Sequence, residues 1–124
     1  MNIISTKEAP EAIGPYSQAI LVNDTLYVSG QTPLNPRTMT VEAKTIKEQT
    51  VQVLENIRNI VLEAGLDIEK IVKCGVFLSD MNNFKEMNQV YQEFFGEHKP
   101  ARVTVEVSKL PLNALVEIDC IAVK

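Results

Sequence analysis

Two short stretches, Ser17 to Val22 and Thr25 to Ser29, are rich in Ile, Leu, Val and Tyr and read as strands. A period of two marks strands that bury one face. Asn23 and Asp24 separate the stretches, and both side chains tolerate positive φ, so a tight hairpin turn is expected between them. In the second strand Leu26 and Val28 point one way, Tyr27 and Ser29 the other.

The period then changes. Pro33, Asn35 and Pro36 fall between Gly30 and Ala43, a density of turn residues that ends the strand and opens the longest loop of the chain. From Ile46 the apolar positions Val53, Ile57, Ile60, Val61 and Ala64 recur at helical spacing, and Gly65 is well placed to stop the helix. Thr45 and Glu48 form a capping-box pattern, each side chain satisfying an orphan amide of the first turn. Ile71 to Leu78 returns to strand period, with Val72, Cys74, Val76 and Leu78 on one face. A second helix is expected from Asn83 to Phe95, striped by Phe84, Met87, Tyr91, Phe94 and Phe95, with Asn83 and Glu86 as another capping box and Gly96 as its stop. Val103, Val105 and Val107 then alternate with Arg102, Thr104 and Glu106. After a turn through Leu110 to Asn113, Val116, Ile118 and Cys120 alternate with Glu117 and Asp119.

Strand, strand, helix, strand, helix, strand, strand predicts one α+β domain over residues 1–124, with a mixed sheet and both helices on one face. Each helix is expected to join parallel neighbours through a right-handed crossover, and the end strands to form antiparallel ribbons. If the last two strands pair, Glu117 falls close to opposite Arg102. Tyr27, Ile71, Phe77 and Ile121 are expected on the sheet face the helices leave bare, and an apolar face of that size calls for association with other copies.

Composition narrows the chemistry. Forty-five per cent hydrophobic residues in a 124-residue chain supply a core without disulfides or a structural metal. Twelve basic against sixteen acidic residues, with no Lys/Arg run, argue against nucleic-acid binding. The lone His98 sits among loop residues, where solvation is expected, and no cysteine pair has zinc-ligand spacing. Cys74 and Cys120 lie in apolar runs and read as small buried residues with free thiols; a disulfide would require their strands to meet. The N-terminal residues lack a signal-peptide pattern, and no apolar run approaches the ~20 residues that span a bilayer, so a cytoplasmic protein is expected. Neither a glycine-rich phosphate loop nor a Ser-His-Asp arrangement is recognisable.

Three polar residues sit where the pattern favours something else: Arg102, Glu117 and Asn88. Arg102 and Glu117 could form a cross-strand ion pair worth roughly 0.2–1 kcal/mol, and Asn88 could tie its helix to a neighbouring loop. Alternatively, the guanidinium fork binds a substrate carboxylate while the glutamate orients and deprotonates water. The same pair would also suit plain ligand binding, so it does not identify a reaction.

The runs Gly14-Pro15-Tyr16-Ser17-Gln18-Ala19, Val28-Ser29-Gly30-Gln31-Thr32-Pro33, Pro100-Ala101-Arg102 with Val105-Glu106-Val107, Leu110-Pro111 and Val116-Glu117-Ile118 resemble the signatures of the reactive-intermediate deaminase (Rid, YjgF-type) family, archetypal imine deaminase subgroup. Gln49 to Ile57 also fits, and the matches run in order across nearly the whole chain. The resemblance implies a chorismate-mutase-like domain whose mixed sheet has six strands, one more than the periodicity picks out. It implies a homotrimer with three clefts between subunits, and hydrolysis of 2-iminobutanoate and 2-iminopropanoate to 2-keto acids and ammonia without metal or cofactor. Arg102 would bind the substrate carboxylate and Glu117 position the water, with Tyr16, Ser29, Gly30 and Asn88 lining the cleft. Thr104 stands where many archetypal members carry cysteine, on the same strand face as Arg102, and would line the cleft and shift substrate preference. The competing readings are a non-catalytic regulator that binds small carboxylates, and a translation inhibitor; retention of both Arg102 and Glu117 favours the enzyme.

Overall fold

The computed structural model describes residues 1–124. Six strands and two α-helices follow one another as β1 (Asn2–Ile4), β2 (Ala19–Val22), β3 (Thr25–Gln31), α1 (Ile46–Glu63), β4 (Ile71–Leu78), α2 (Phe84–Phe95), β5 (Ala101–Glu106) and β6 (Val116–Val123). The strands form one mixed sheet in the order β1-β2-β3-β6-β4-β5. Only β4 and β5 run parallel; every other pair is antiparallel. Both helices pack on one face, which makes this the chorismate-mutase-like α+β fold. No helix is long and apolar enough to cross a membrane.

Local signals explain most elements. Val22 pairs with Thr25 across Asn23 and Asp24, and Asn23 takes φ 53° to make the turn. At the start of α1 the Thr45 hydroxyl accepts from the Glu48 amide at 3.2 Å, and the Glu48 carboxylate accepts from the Thr45 amide at 3.3 Å. Leu26 and Val28 of β3, Val76 and Leu78 of β4 and Val116 and Ile118 of β6 meet Val53, Ile57, Ile60, Met87 and Tyr91 in one core of 23 buried residues.

Three buried amides fasten the irregular segments to this frame. Gln18 donates to the carbonyls of Pro10 at 2.7 Å and Thr6 at 3.0 Å, and accepts from the Thr6 amide at 2.8 Å. Gln49 donates to Ala43 at 3.0 Å and accepts from the Leu115 amide at 2.8 Å. Asn56 donates to Leu34 at 3.0 Å and Thr32 at 3.2 Å. Leaving such groups unpaired in a core is costly, so each amide fixes the course of a loop.

The structure corrects the expected topology at the C-terminus. β6 does not pair with β5; it enters between β3 and β4 and bonds to both. β3 and β4, the strands joined through α1, are therefore separated by β6, whereas α2 does join the adjacent parallel strands β4 and β5. The ladder on β4 slips between Ile71 and Lys73, which turns Ile71 into the core and leaves Val72 45% exposed, the reverse of the strict alternation expected. Asn83 makes no side-chain cap at α2. A 3₁₀ turn, Met81–Asn83, leads into the helix, capped by the Asp80 side chain on the Asn82 amide. The sixth strand, β1, is three residues long, too short for periodicity to reveal. The strands carrying the two cysteines do meet: Cys74 lies opposite Cys120, and both are buried free thiols.

Thr45→Ala removes the hydroxyl that accepts from the Glu48 amide and donates to its carboxylate, keeps the backbone amide that donates to Glu48, and should cost about 1 kcal/mol of stability. Urea unfolding followed by circular dichroism measures it; an unchanged midpoint would mean the Thr45 hydroxyl contributes nothing.

Candidate functional site

The expected site residues fall into two groups. Glu117 lies on β6 opposite Phe77 of β4, its side chain on the face away from the helices. Beside it, β3 bulges: Val28 pairs with Cys120 and Gln31 with Ile118, so Ser29 and Gly30 together oppose Asp119 alone. Such a bulge re-aims side chains and opens room in a sheet. The Glu117 carboxylate fills that room, because a side chain on Gly30 would collide with Glu117 Oε2 and approach Cδ to 3.1 Å. Burial pushes the Glu117 carboxyl above its ordinary range, and the neighbouring Asp119 charge pushes the same way. Ser29 donates its hydroxyl to the Ser17 carbonyl at 2.6 Å, which holds the bulge to the preceding loop. With half-exposed Tyr16, these residues line an open cavity of about 480 Å³.

Arg102 stands elsewhere. It lies on the edge strand β5 opposite Cys74, on the helix face of the sheet. Its Nη1 donates to Asn88 Oδ1 at 2.7 Å, and its guanidinium carbon lies 4.8 Å from the Tyr91 ring centre and 5.5 Å from that of Phe84. Phe84, Asn88 and Tyr91 are spaced four and three residues apart on α2, so one helix face forms a cradle for the cation. The guanidinium keeps most of its donors free above a second cavity of about 430 Å³, shared with His98 and Lys99. His98 is not the solvated residue expected: its Nε2 donates to the Ile71 carbonyl at 2.6 Å, and its ring meets Phe95 edge-on.

Arg102 and Glu117 therefore lie on opposite faces of one sheet, with β4 between their strands. The cross-strand ion pair does not exist; the chain's ion pair is Arg58 with Glu55 on α1. The carboxylate joins Tyr16, Ser29 and Gly30 at one cavity, and the guanidinium joins Asn88 at the other. Thr104 shares Arg102's face but lines neither cavity, its buried hydroxyl without a partner.

Sequence reasoning placed Phe84 and Tyr91 in an apolar stripe and missed their second task under Arg102; their spacing around Asn88 was the available signal. The Tyr91 hydroxyl is buried without a partner, and burial raises its pKa strongly. Nearby Cys74 has its thiol pushed up to about 11 by burial first, so it is no thiolate at neutral pH.

The family model described as Endoribonuclease L-PSP matches residues 6–124. A RutC family protein of Pyrococcus abyssi is 52% identical over 123 residues, covering 99% of this chain and 97% of its own. Reactive Intermediate Deaminase A of Arabidopsis thaliana, a chloroplastic protein, is 42% identical over 121 residues, covering 98% of this chain and 65% of its own. Among solved structures, E. coli TdcF with bound serine superposes with a TM-score of 0.96 at 41% identity, covering 100% of this chain and 98% of that one.

The cradle on α2 is testable through Tyr91. Tyr91→Phe keeps the ring and removes an unpartnered hydroxyl, so the variant should melt no lower than the parent. Tyr91→Leu removes the platform, and affinity for a small carboxylate such as 2-oxobutanoate should fall by roughly 2- to 30-fold, the range of a ~0.5–2 kcal/mol cation–π contact. Titration calorimetry gives the affinities; equal binding by the phenylalanine and leucine variants would remove Tyr91 from any role in holding Arg102.

Proposed function

The chain belongs to the reactive-intermediate deaminase (Rid, YjgF-type) family, and from that membership we propose that it hydrolyses 2-imino acids to 2-keto acids and ammonia, with 2-iminobutanoate and 2-iminopropanoate among its substrates. The observation that carries the proposal is the division of the two reactive ends between opposite sheet faces. One chain presents a free guanidinium fork at its edge strand and a half-buried carboxylate over an open cavity, and cannot bring them together. A second copy can. The face away from the helices exposes Tyr27 at 51%, Val103 at 47% and Val105 at 38%, an apolar surface that association would cover. In a homotrimer closed through this face, β5 of one protomer would lie beside the Glu117 cavity of the next, giving three equivalent sites.

The chemistry follows from such a site. Arg102 would clamp the substrate carboxylate with two parallel hydrogen bonds, which fixes the adjacent imine carbon. Asn88, Tyr91 and Phe84 would keep the planar fork aimed, while Tyr16, Ser29 and Gly30 close the opposite wall. Glu117 would take a proton from water as the water oxygen bonds to the imine carbon. That proton then passes to the nitrogen, giving an amino-alcohol; the second proton of the same water, now on the new hydroxyl, is taken by Glu117 and delivered to the nitrogen as the carbon–oxygen double bond forms and the carbon–nitrogen bond breaks, so ammonia leaves with the keto acid behind. The imine carbon is already electrophilic, so the reaction asks for positioning and proton transfer alone. A carboxyl raised by burial suits a group that must accept and return a proton near neutrality. Serine bound to the related TdcF supports a small α-carboxylate as the ligand class. A cytoplasmic setting and the removal of reactive enamine and imine intermediates belong to the same reading. A carboxylate-binding regulator would need Arg102 but not Glu117, and an RNA-directed role finds no support in a chain of formal charge −4.

Glu117→Gln should keep keto-acid binding yet lower turnover by about 10²-fold, measured with imine supplied by a threonine dehydratase. In the parent, kcat/KM should fall as pH is lowered through a pKa above that of an ordinary glutamate, because the ionised form is the base. The glutamine variant should lose that limb; full turnover in it would end the water-activation role.

Mixing tests the shared site. Arg102→Ala and Glu117→Gln proteins should each keep no more than about 1% of parental activity alone. Co-refolded in equal amounts, they should regain about a quarter of parental activity, since half of the protomers supply an intact arginine and half an intact glutamate. No recovery from trimers whose mixed composition native mass spectrometry has verified, or a stable 13.8 kDa species in sedimentation, would refute an interface site.

A further inference from the structure

We infer that His98 is a positioning residue for Arg102: its ring ties the loop between α2 and β5 to the start of β4 and so sets where the guanidinium meets a substrate carboxylate; the inference rests on the deaminase reading and adds a residue to its carboxylate clamp.

Arg102 is the second residue of β5, an edge strand whose one neighbour is β4. The parallel ladder of these two strands begins with Lys73 opposite Ala101. One step back on the β5 side stands Pro100, which has no N–H with which to extend it. The backbone amides of the loop turn back to their own helix: Gly96 donates to the Gln92 carbonyl at 2.9 Å, and His98 to the Phe95 carbonyl at 3.2 Å. The His98 ring supplies the hydrogen bond that joins this loop to another element. Its Nε2 lies 2.6 Å from the Ile71 carbonyl oxygen, and a carbonyl only accepts, so Nε2 carries the proton. The bond falls where the ladder between β4 and β6 slips, between Ile71 and Lys73.

Two paths lead from this tie to the guanidinium. Along the chain, Lys99, Pro100 and Ala101 alone separate His98 from Arg102. Through the rings, His98 meets Phe95 with centres 5.9 Å apart, and Phe95 meets Tyr91 at 4.8 Å. Tyr91 is the ring that lies 4.8 Å from the Arg102 guanidinium carbon. β4 is held on both edges, by β5 and β6, whereas β5 is held on one. A fixed point just before Ala101 therefore decides how the first residues of β5 sit. Arg102 would hold the carboxylate in the ground state and the transition state alike, so a shift of the clamp weakens binding throughout and shows in KM.

The test makes substitutions at position 98 in the full chain. His98→Gln keeps an Nε2 donor of similar reach. His98→Asn keeps an amide too short to meet Ile71, and His98→Leu keeps apolar bulk against Phe95 with no donor. Thr45→Ala, which weakens the cap of the other helix, controls for stability lost elsewhere. Turnover is measured with 2-iminobutanoate supplied by a threonine dehydratase, affinity by titration with 2-oxobutanoate, and folding by thermal melting. The asparagine and leucine variants should raise KM and the 2-oxobutanoate Kd about fivefold, the ratio carried by one neutral hydrogen bond, with kcat within about twofold of the parent. The glutamine variant and Thr45→Ala should keep KM and Kd within about twofold of the parent.

Parental KM and Kd in the asparagine and leucine variants overturn the inference. So does a glutamine variant that fails as they do, a loss confined to kcat, or an equal rise in KM in Thr45→Ala. Each of these leaves the deaminase reading intact. Should the leucine variant not fold, the asparagine variant decides by the same criteria. Should the parent hydrolyse no imine, the deaminase reading falls and the 2-oxobutanoate titration decides alone. A parent that also binds no keto acid overturns both.

Discussion

β6 is hydrogen-bonded along both edges, to β3 on one side and β4 on the other, and the positions of the functional groups depend on that insertion. With β6 in the middle, Val116, Ile118, Cys120 and Ala122 become the centre of the core, all nearly inaccessible. Strict alternation then forces Glu117 and Asp119 onto the opposite face, in the middle of the sheet rather than at its rim. The same insertion leaves β5 with a neighbour on one side only, so Arg102 stands on a free edge. Had β5 and β6 paired as a ribbon, arginine and glutamate would have neutralised one another within one chain. The observed order keeps them apart.

Around that frame, precision comes from buried amides rather than from regular structure. Gln18, Gln49 and Asn56 each join a loop carbonyl or amide to an ordered element. A satisfied hydrogen bond of this kind contributes on the order of 1 kcal/mol, but an orphaned partner costs more. The arrangement therefore specifies loop paths more strongly than it stabilises the whole. It sets where Pro10 and Leu34 stand relative to Glu117, which makes the cavity wall a fixed surface instead of a fluctuating one.

The sequence showed the elements well because each is governed by near neighbours. The hairpin at Asn23, the Thr45–Glu48 box and the stripe on α2 all rest on contacts within a few residues. Strand order rests on pairing between residues far apart, and two orders with the same periodicity differ only there; the ribbon expected for β5 and β6 failed for that reason. Ile71 was assigned to the wrong face because a single slip in a ladder reverses every side chain before it. The seven site residues came from oddities in the pattern and from motif resemblance; six of them line one of two cavities and Thr104 lines neither. Their division into two groups was not legible, since it follows from the strand order. Phe84 and Tyr91 were read as core alone, as any aromatic stripe would be.

Gly30 and Gly75 each lie beneath a carboxylate of β6, the first under Glu117 and the second under Asp119, whose Oδ1 also accepts from the Gly75 amide at 3.0 Å. This contact ties what the chain can carry at one position to what it carries at the other. A methyl group at position 30 would meet the end of the Glu117 side chain, so alanine there moves the carboxylate from its place. Shortening the acid first opens the space, and glycine is then free to drift. The present place of the carboxylate is thus tied to glycine at position 30, and the tie ends once the acid is shortened.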